Sequence, residues 1–174
     1  MTTAVKNERL EKRFDKWDVD GNGVIERSDL EAEAHRILAA FGEPPVSPKG
    51  RAVIDSFVGT FEYLAQKAES PSLDRESFLR VIETEVFKSG DAGFARVVRP
   101  MIQAILNVCD TDGDGEINPS EFARWLGAVG VDPMTAKTAF SKIDTDGSGV
   151  LTVDELVNAV KAYHFGTLEA ELLG

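Results

Sequence analysis

DTDGDGEINPSE, residues 110–121, spaces its oxygen-bearing side chains as a loop wrapped around one ion requires. Asp110, Asp112 and Asp114 stand at positions 1, 3 and 5 of the twelve. Gly115 follows where the backbone turns too sharply for a side chain, so the carbonyl of Glu116 can face the centre. Asn118, at position 9, can act directly or through water, and Glu121, at position 12, is long enough to reach back with both carboxylate oxygens. A set of hard oxygen donors of this size suits calcium. Without a cation, the four carboxylates of Asp110, Asp112, Asp114 and Glu121 repel one another.

The pattern recurs twice. Residues 144–155 place Asp144, Asp146, Ser148, Gly149, Val150, Thr152 and Glu155 at the matching positions, with Ser148 the weaker donor. Residues 18–29 supply Asp18, Asp20, Asn22, Gly23, Val24 and Glu26 but close on Asp29. Aspartate is one methylene shorter than glutamate, so contact through both oxygens is harder there and the smaller, six-coordinate magnesium becomes a competitor for calcium. A single run of this kind is compatible with an ordinary acidic turn. Three in register are not, because each has an apolar residue at position 8 (Ile25, Ile117, Leu151) and another just past the loop (Leu30, Phe122, Leu156).

Composition narrows the rest. The chain has 174 residues, enough for one good core or two small cooperating lobes, and 43% hydrophobic residues is ordinary for a globular protein. A net charge of −11 argues against nucleic acid and anionic membranes as partners. Three bound divalent ions would bring it to −5. MTTAVKNERLEKRF lacks the apolar stretch of a secretory signal, no run approaches the ~20 apolar residues of a membrane span, and Thr2 precludes N-myristoylation. The expectation is a cytoplasmic monomer whose partners are calcium ions. No phosphate loop, nucleophile elbow or cysteine–histidine pair is present, so the chain reads as a binding protein and not an enzyme. His35 and His164 are assigned to packing or solvent, and Cys109 to an inward position on a helix.

Helical periodicity fills the intervals. Leu10, Phe14 and Trp17 share one face of a first helix, which spans about residues 5–17. Leu30, Ala34, Ile37, Leu38 and Phe41 follow on a second that ends at Gly42. Ser47–Pro48 opens a third with Phe57, Phe61 and Leu64 inward. Residues 65–77 then have one residue too many for a loop of this kind and no acid at its first ligand positions. They read as a disabled second loop, or as an unrelated connection, in which Leu73 keeps the short strand contact made by Ile25. Asp74 caps a fourth helix burying Phe78, Val81, Ile82 and Val86. Lys88 to Gly93 is the joint between halves, 1–89 and 90–174. Pro100 interrupts the helix entering the third loop, either as a bend near Arg96 to Pro100 or as a break between two shorter helices. Asn118–Pro119, Asp132–Pro133 and Thr152 with Glu155 start the last three helices. The tail 164–174, with Phe165, Leu168, Leu172 and Leu173, is expected to fold back onto the body.

Four helix–loop–helix units, with loops one, three and four intact, resemble the EF-hand superfamily. Within it, the length, the pattern of intact loops and the His164–Phe165–Gly166 tail resemble the sarcoplasmic calcium-binding proteins and their bacterial relative calerythrin. The resemblance implies an all-α fold of four units in two paired halves, packed into one compact body with short β contacts between paired loops. It also implies three calcium sites: Asp18, Asp20, Asn22, Val24 and Asp29; Asp110, Asp112, Asp114, Glu116 and Glu121; Asp144, Asp146, Ser148, Val150 and Glu155. Such proteins act as calcium buffers or carriers, or as sensors that expose an apolar groove to a protein target. With only Met101 and Met134 beyond the initiator, a methionine-rich groove is not indicated, and the buffer reading is favoured.

Overall fold

The computed structural model describes residues 2–165 and Leu168, with side chains from Asn7 onward. Leu172 and Leu173, assigned above to the returning tail, lie outside the described residues. The first unit is helix α1 (Thr2–Trp17), the loop with strand β1 (Val24–Ile25), and α2 (Arg27–Phe41). The second is α3 (Pro48–Ala68), β2 (Leu73–Asp74) and α4 (Arg75–Ile82). α5 (Gly90–Val97) and α6 (Arg99–Cys109) lead into the third loop, α7 (Pro119–Ala128) and α8 (Pro133–Ile143) separate it from the fourth, and α9 (Val153–His164) follows.

The caps lie where short polar side chains could meet exposed amides. Ser47, Asp74, Asn118, Asp132 and Thr152 each accept a hydrogen bond from the amide three residues on. Gly42 ends α2 at φ 64°, a left-handed conformation that glycine adopts without steric cost.

The loops pair as short antiparallel contacts. Ile25 stands opposite Leu73, so the second loop keeps its structural contact without acidic ligands. Ile117 and Leu151 exchange both backbone hydrogen bonds, at 2.8 and 2.7 Å. All four side chains are buried, which explains the apolar residue at position 8. The expected extent of the second loop is corrected: Ala65 to Ala68 continue α3 and Glu69 caps it in the left-handed region, φ 55°. Ala65 packs in the core, and with no acid to draw the chain around an ion, further helical turns satisfy the backbone.

Two breaks place the middle of the chain. α4 passes into a π-helical turn, Glu83–Phe87, closed by the Lys88 amide reaching the Glu83 carbonyl five residues back. Of the joint read over Lys88 to Gly93, only Lys88 and Ser89 are non-helical, and Gly93 is buried. Because Pro100 cannot donate back to Arg96, the chain divides into α5 and α6 at Val98, which itself keeps helical angles (φ −91°, ψ −43°) and is bonded to Phe94 on one side and Ile102 on the other.

One contiguous core joins all four units, with Phe14, Phe78, Phe94 and Phe122 almost fully enclosed. Phe78 of the second unit meets Phe14 and Trp17 of the first at ring separations of 5.7 and 5.9 Å, and Arg75 pairs with Asp15 at 2.7 Å beside them. Phe165 returns onto Phe87 at 5.0 Å, and Leu168 packs against the core. Cys109 is fully buried and His35 exposed, while His164 lies inside the packing. No helix among the described residues is long and apolar enough to cross a membrane.

Candidate metal sites

Each acidic loop gathers three carboxylates from two helix ends. Asp18, Asp20 and Asp29 bring oxygens within 4.8 Å of one another, as do Asp110, Asp112 and Glu121, and Asp144, Asp146 and Glu155. The first two residues leave the incoming helix, whereas the twelfth lies in the first turn of the outgoing one. That turn is fixed by the caps, so the closing carboxylate is held by helix geometry before any ion arrives.

The first aspartate of each loop organises the turn. Asp18, Asp110 and Asp144 accept from the position-6 amides of Gly23, Gly115 and Gly149 at 2.9, 2.7 and 2.9 Å. Those glycines adopt φ of 90°, 79° and 84°, a region from which side chains are largely excluded. Gly21, Gly113 and Gly147 at position 4 are also left-handed, a demand the ligand spacing did not reveal.

Positions 5 and 7 are less uniform. The side chains of Asn22 and Asp114 accept from the amides of Val24 and Glu116 at 3.1 and 2.9 Å. Ser148 donates through its hydroxyl to the carbonyl of Val150 at 2.9 Å, so two expected donors of the fourth loop hold one another. At position 9, Asn118 and Thr152 cap the outgoing helices by accepting from Glu121 and Glu155 at 2.8 and 3.2 Å.

The closing residue distinguishes the loops. Glu121 is 4% exposed and accepts from the amides of Asn118 (3.0 Å) and Thr111 (2.7 Å) and from the Thr111 hydroxyl (2.9 Å). Glu155 accepts from the Thr145 hydroxyl at 3.5 Å, while the Thr145 amide donates to the Ile143 carbonyl at 2.8 Å. Threonine at position 2 is a positioning residue that the ligand pattern did not identify; the repeat of Thr111 and Thr145 was its only signal. The first loop has Val19 there; the shorter Asp29 keeps the position-9 amide contact common to all three loops, from Glu26 at 2.9 Å, and accepts from the Asp20 amide at 3.4 Å.

Crowding moves the carboxylates apart in proton affinity. Burial pushes Asp110 up, but hydrogen bonds from Gly115, Asp112 and Asp114 outweigh it and hold the group below the usual range. Asp112 is raised, chiefly through its hydrogen bond with Asp110. Asp146 is lowered by the hydroxyl and amide of Ser148. Such a cluster stores repulsion that a divalent cation relieves.

Helix–loop–helix units paired through short strands, with three loops converging carboxylates on a point, define an EF-hand calcium-binding protein. Family models agree: one described as EF-hand domain matches residues 135–166, and one described as EF hand matches 102–126. The chain belongs to the calerythrin family: it is 46% identical to calerythrin of Saccharopolyspora erythraea over 177 aligned positions that cover 100% of both chains. A sarcoplasmic calcium-binding protein of Perinereis vancaurica tetradentata is 27% identical over 131 positions, 74% of this chain and 72% of that one. The solved structure of a Streptomyces coelicolor calcium-binding protein superimposes with a TM-score of 0.79 at 33% identity, covering 95% of this chain and 99% of that one. The family is one of calcium-binding proteins and not of enzymes.

Proposed function

We propose that the chain is a monomeric cytoplasmic calcium buffer or carrier that takes up three ions. The ligands would be Asp18, Asp20, Asn22, the Val24 carbonyl and Asp29 in the first loop, and Asp110, Asp112, Asp114, the Glu116 carbonyl and Glu121 in the third. In the fourth they would be Asp144, Asp146, Ser148, the Val150 carbonyl and Glu155. The first site would accept magnesium more readily than the others, since Asp29 is short and lacks the threonine partner of Glu121 and Glu155. The two halves, meeting near Lys88 and Ser89, would work as one body.

The observation that carries the buffer reading is where the apolar faces go. The helices bury them against one another in a single core, and the exposed large hydrophobic side chains among the described residues are Val46 and Met134 alone. A sensor needs a groove to open. The sensor reading has one support of its own, since the Streptomyces coelicolor relative is described in connection with prokaryotic calcium-mediated regulation.

Calorimetric titration of stripped protein with calcium, with and without magnesium, tests the proposal. Three calcium ions should bind, magnesium competing most at the first loop. A naphthalene-sulfonate dye should respond equally with and without calcium, whereas strong dye binding only in calcium would establish the sensor.

A further inference from the structure

Side chains of the helices line a cavity of about 160 Å³. Most of its wall is apolar, with Phe57, Phe94, Ile102, Ile105, Trp125 and Leu156 among the lining side chains. A cavity of about 150 Å³ lined by such side chains accepts benzene, so this one accommodates a single ring with little to spare. None of the acidic-loop ligands contributes to it.

One end of the wall is different. Arg13 and Lys16 from α1, Glu33 and Arg36 from α2, and His164 from α9 meet there. Glu33 and His164 are only 6% and 5% exposed, whereas Arg13 and Lys16 are half-buried and Arg36 reaches solvent. Arg13 Nη2 lies 3.4 Å from His164 Nε2. A guanidinium only donates, so Nε2 accepts and the imidazole proton resides on Nδ1. That buried N–H has no hydrogen-bond partner among the described residues. Glu33 Oε2 lies 3.3 Å from Arg36 Nη1, an ion pair without hydrogen-bond geometry. Three cations facing one carboxylate leave this end positive, and a buried donor left unmet is uncommon in a folded protein.

We propose that the cavity binds a small amphiphilic acid, its ring-sized apolar body among Phe94, Ile105 and Trp125 and its carboxylate between Arg13, Lys16 and His164 Nδ1–H. A neutral apolar guest leaves the buried N–H and the surplus of positive charge unanswered, and a cationic guest is repelled. An acid answers both while Glu33 keeps its pairing with Arg36.

The test titrates the full calcium-loaded chain with 3-phenylpropionate, followed by calorimetry and by the emission of Trp17 and Trp125, both of which line the cavity. Saturable one-to-one binding with a change in tryptophan emission is expected, at least tenfold tighter than for 3-phenylpropan-1-ol. Arg13→Met should remove most of that tenfold preference and leave the alcohol unchanged; if this variant does not fold, Lys16→Met should reduce the preference in the same direction. Absence of saturable binding at millimolar acid, equal affinity for acid and alcohol, or binding that leaves tryptophan emission unmoved overturns the proposal.

Discussion

Gly93 of α5 packs against the π-helical turn so closely that a Cβ there would lie 2.5 Å from the Val86 carbonyl oxygen, 2.7 Å from that of Glu85 and 2.8 Å from Val86 Cα. These are backbone atoms and cannot rotate aside. Gly93→Ala must therefore separate the turn from α5, loosening Phe87 from Phe94, whose rings lie 5.9 Å apart. Overpacking of this kind costs about 1–3 kcal/mol, and with rigid backbone on the far side the upper end applies. The helical preference of alanine over glycine returns about 1 kcal/mol. A net loss of about 2 kcal/mol follows, which in a chain of this size lowers Tm by about 4–8 °C. Gly59, mid-helix in α3 and exposed with nothing within 4 Å of its added Cβ, is the matched control. Gly59→Ala should stabilise by up to about 1 kcal/mol, or about 2–4 °C. Thermal unfolding by circular dichroism, in chelator and again in calcium, reads both, and the opposite signs should persist in either condition. A Gly93→Ala chain as stable as the parent, or two variants that move together, would refute the close approach.

Glu121→Gln or Glu155→Gln should each remove one ion from the calorimetric stoichiometry, whereas Glu26→Gln, at position 9, should weaken its site without abolishing it. Asp29→Glu should raise calcium affinity of the first site and reduce magnesium competition, measured by calcium titration in millimolar magnesium. Burial, with Arg13 and Arg9 adding to it, holds the His164 imidazole well below its usual value, so between that value and about 6.5 the unfolded chain binds the extra proton. Stability in chelator should thus fall as pH drops below about 6.5, and urea midpoints at pH 7.5 and 5.5 should show a shallower dependence in His164→Gln. That comparison separates His164 from Glu33, whose carboxyl burial moves upward. Burial foremost, with Glu121 adding to it, raises the Cys109 thiol, so iodoacetamide should label it only slowly until the chain is unfolded.

What sequence alone determined was local. Ligand spacing, turn glycines and caps all act within about twelve residues, so the loops, the pairing residues Ile25, Ile117 and Leu151, and the starts at Asp74, Asn118, Asp132 and Thr152 were legible without coordinates. The degenerate loop was legible through its missing acids, although where α3 stops was not, because nothing local forbids another turn of helix. Tertiary structure alone decided the rest. The π-helical turn lies against α5 because Gly93 lets two backbones approach, and Thr111 supports Glu121 only once the loop has closed. Arg13 and His164 are 151 residues apart in the chain, and neither advertises the other. Long-range packing of α1, α2 and α9 brought their polar groups to one end of an apolar cavity, and no periodicity within a helix encodes which distant side chains it will meet.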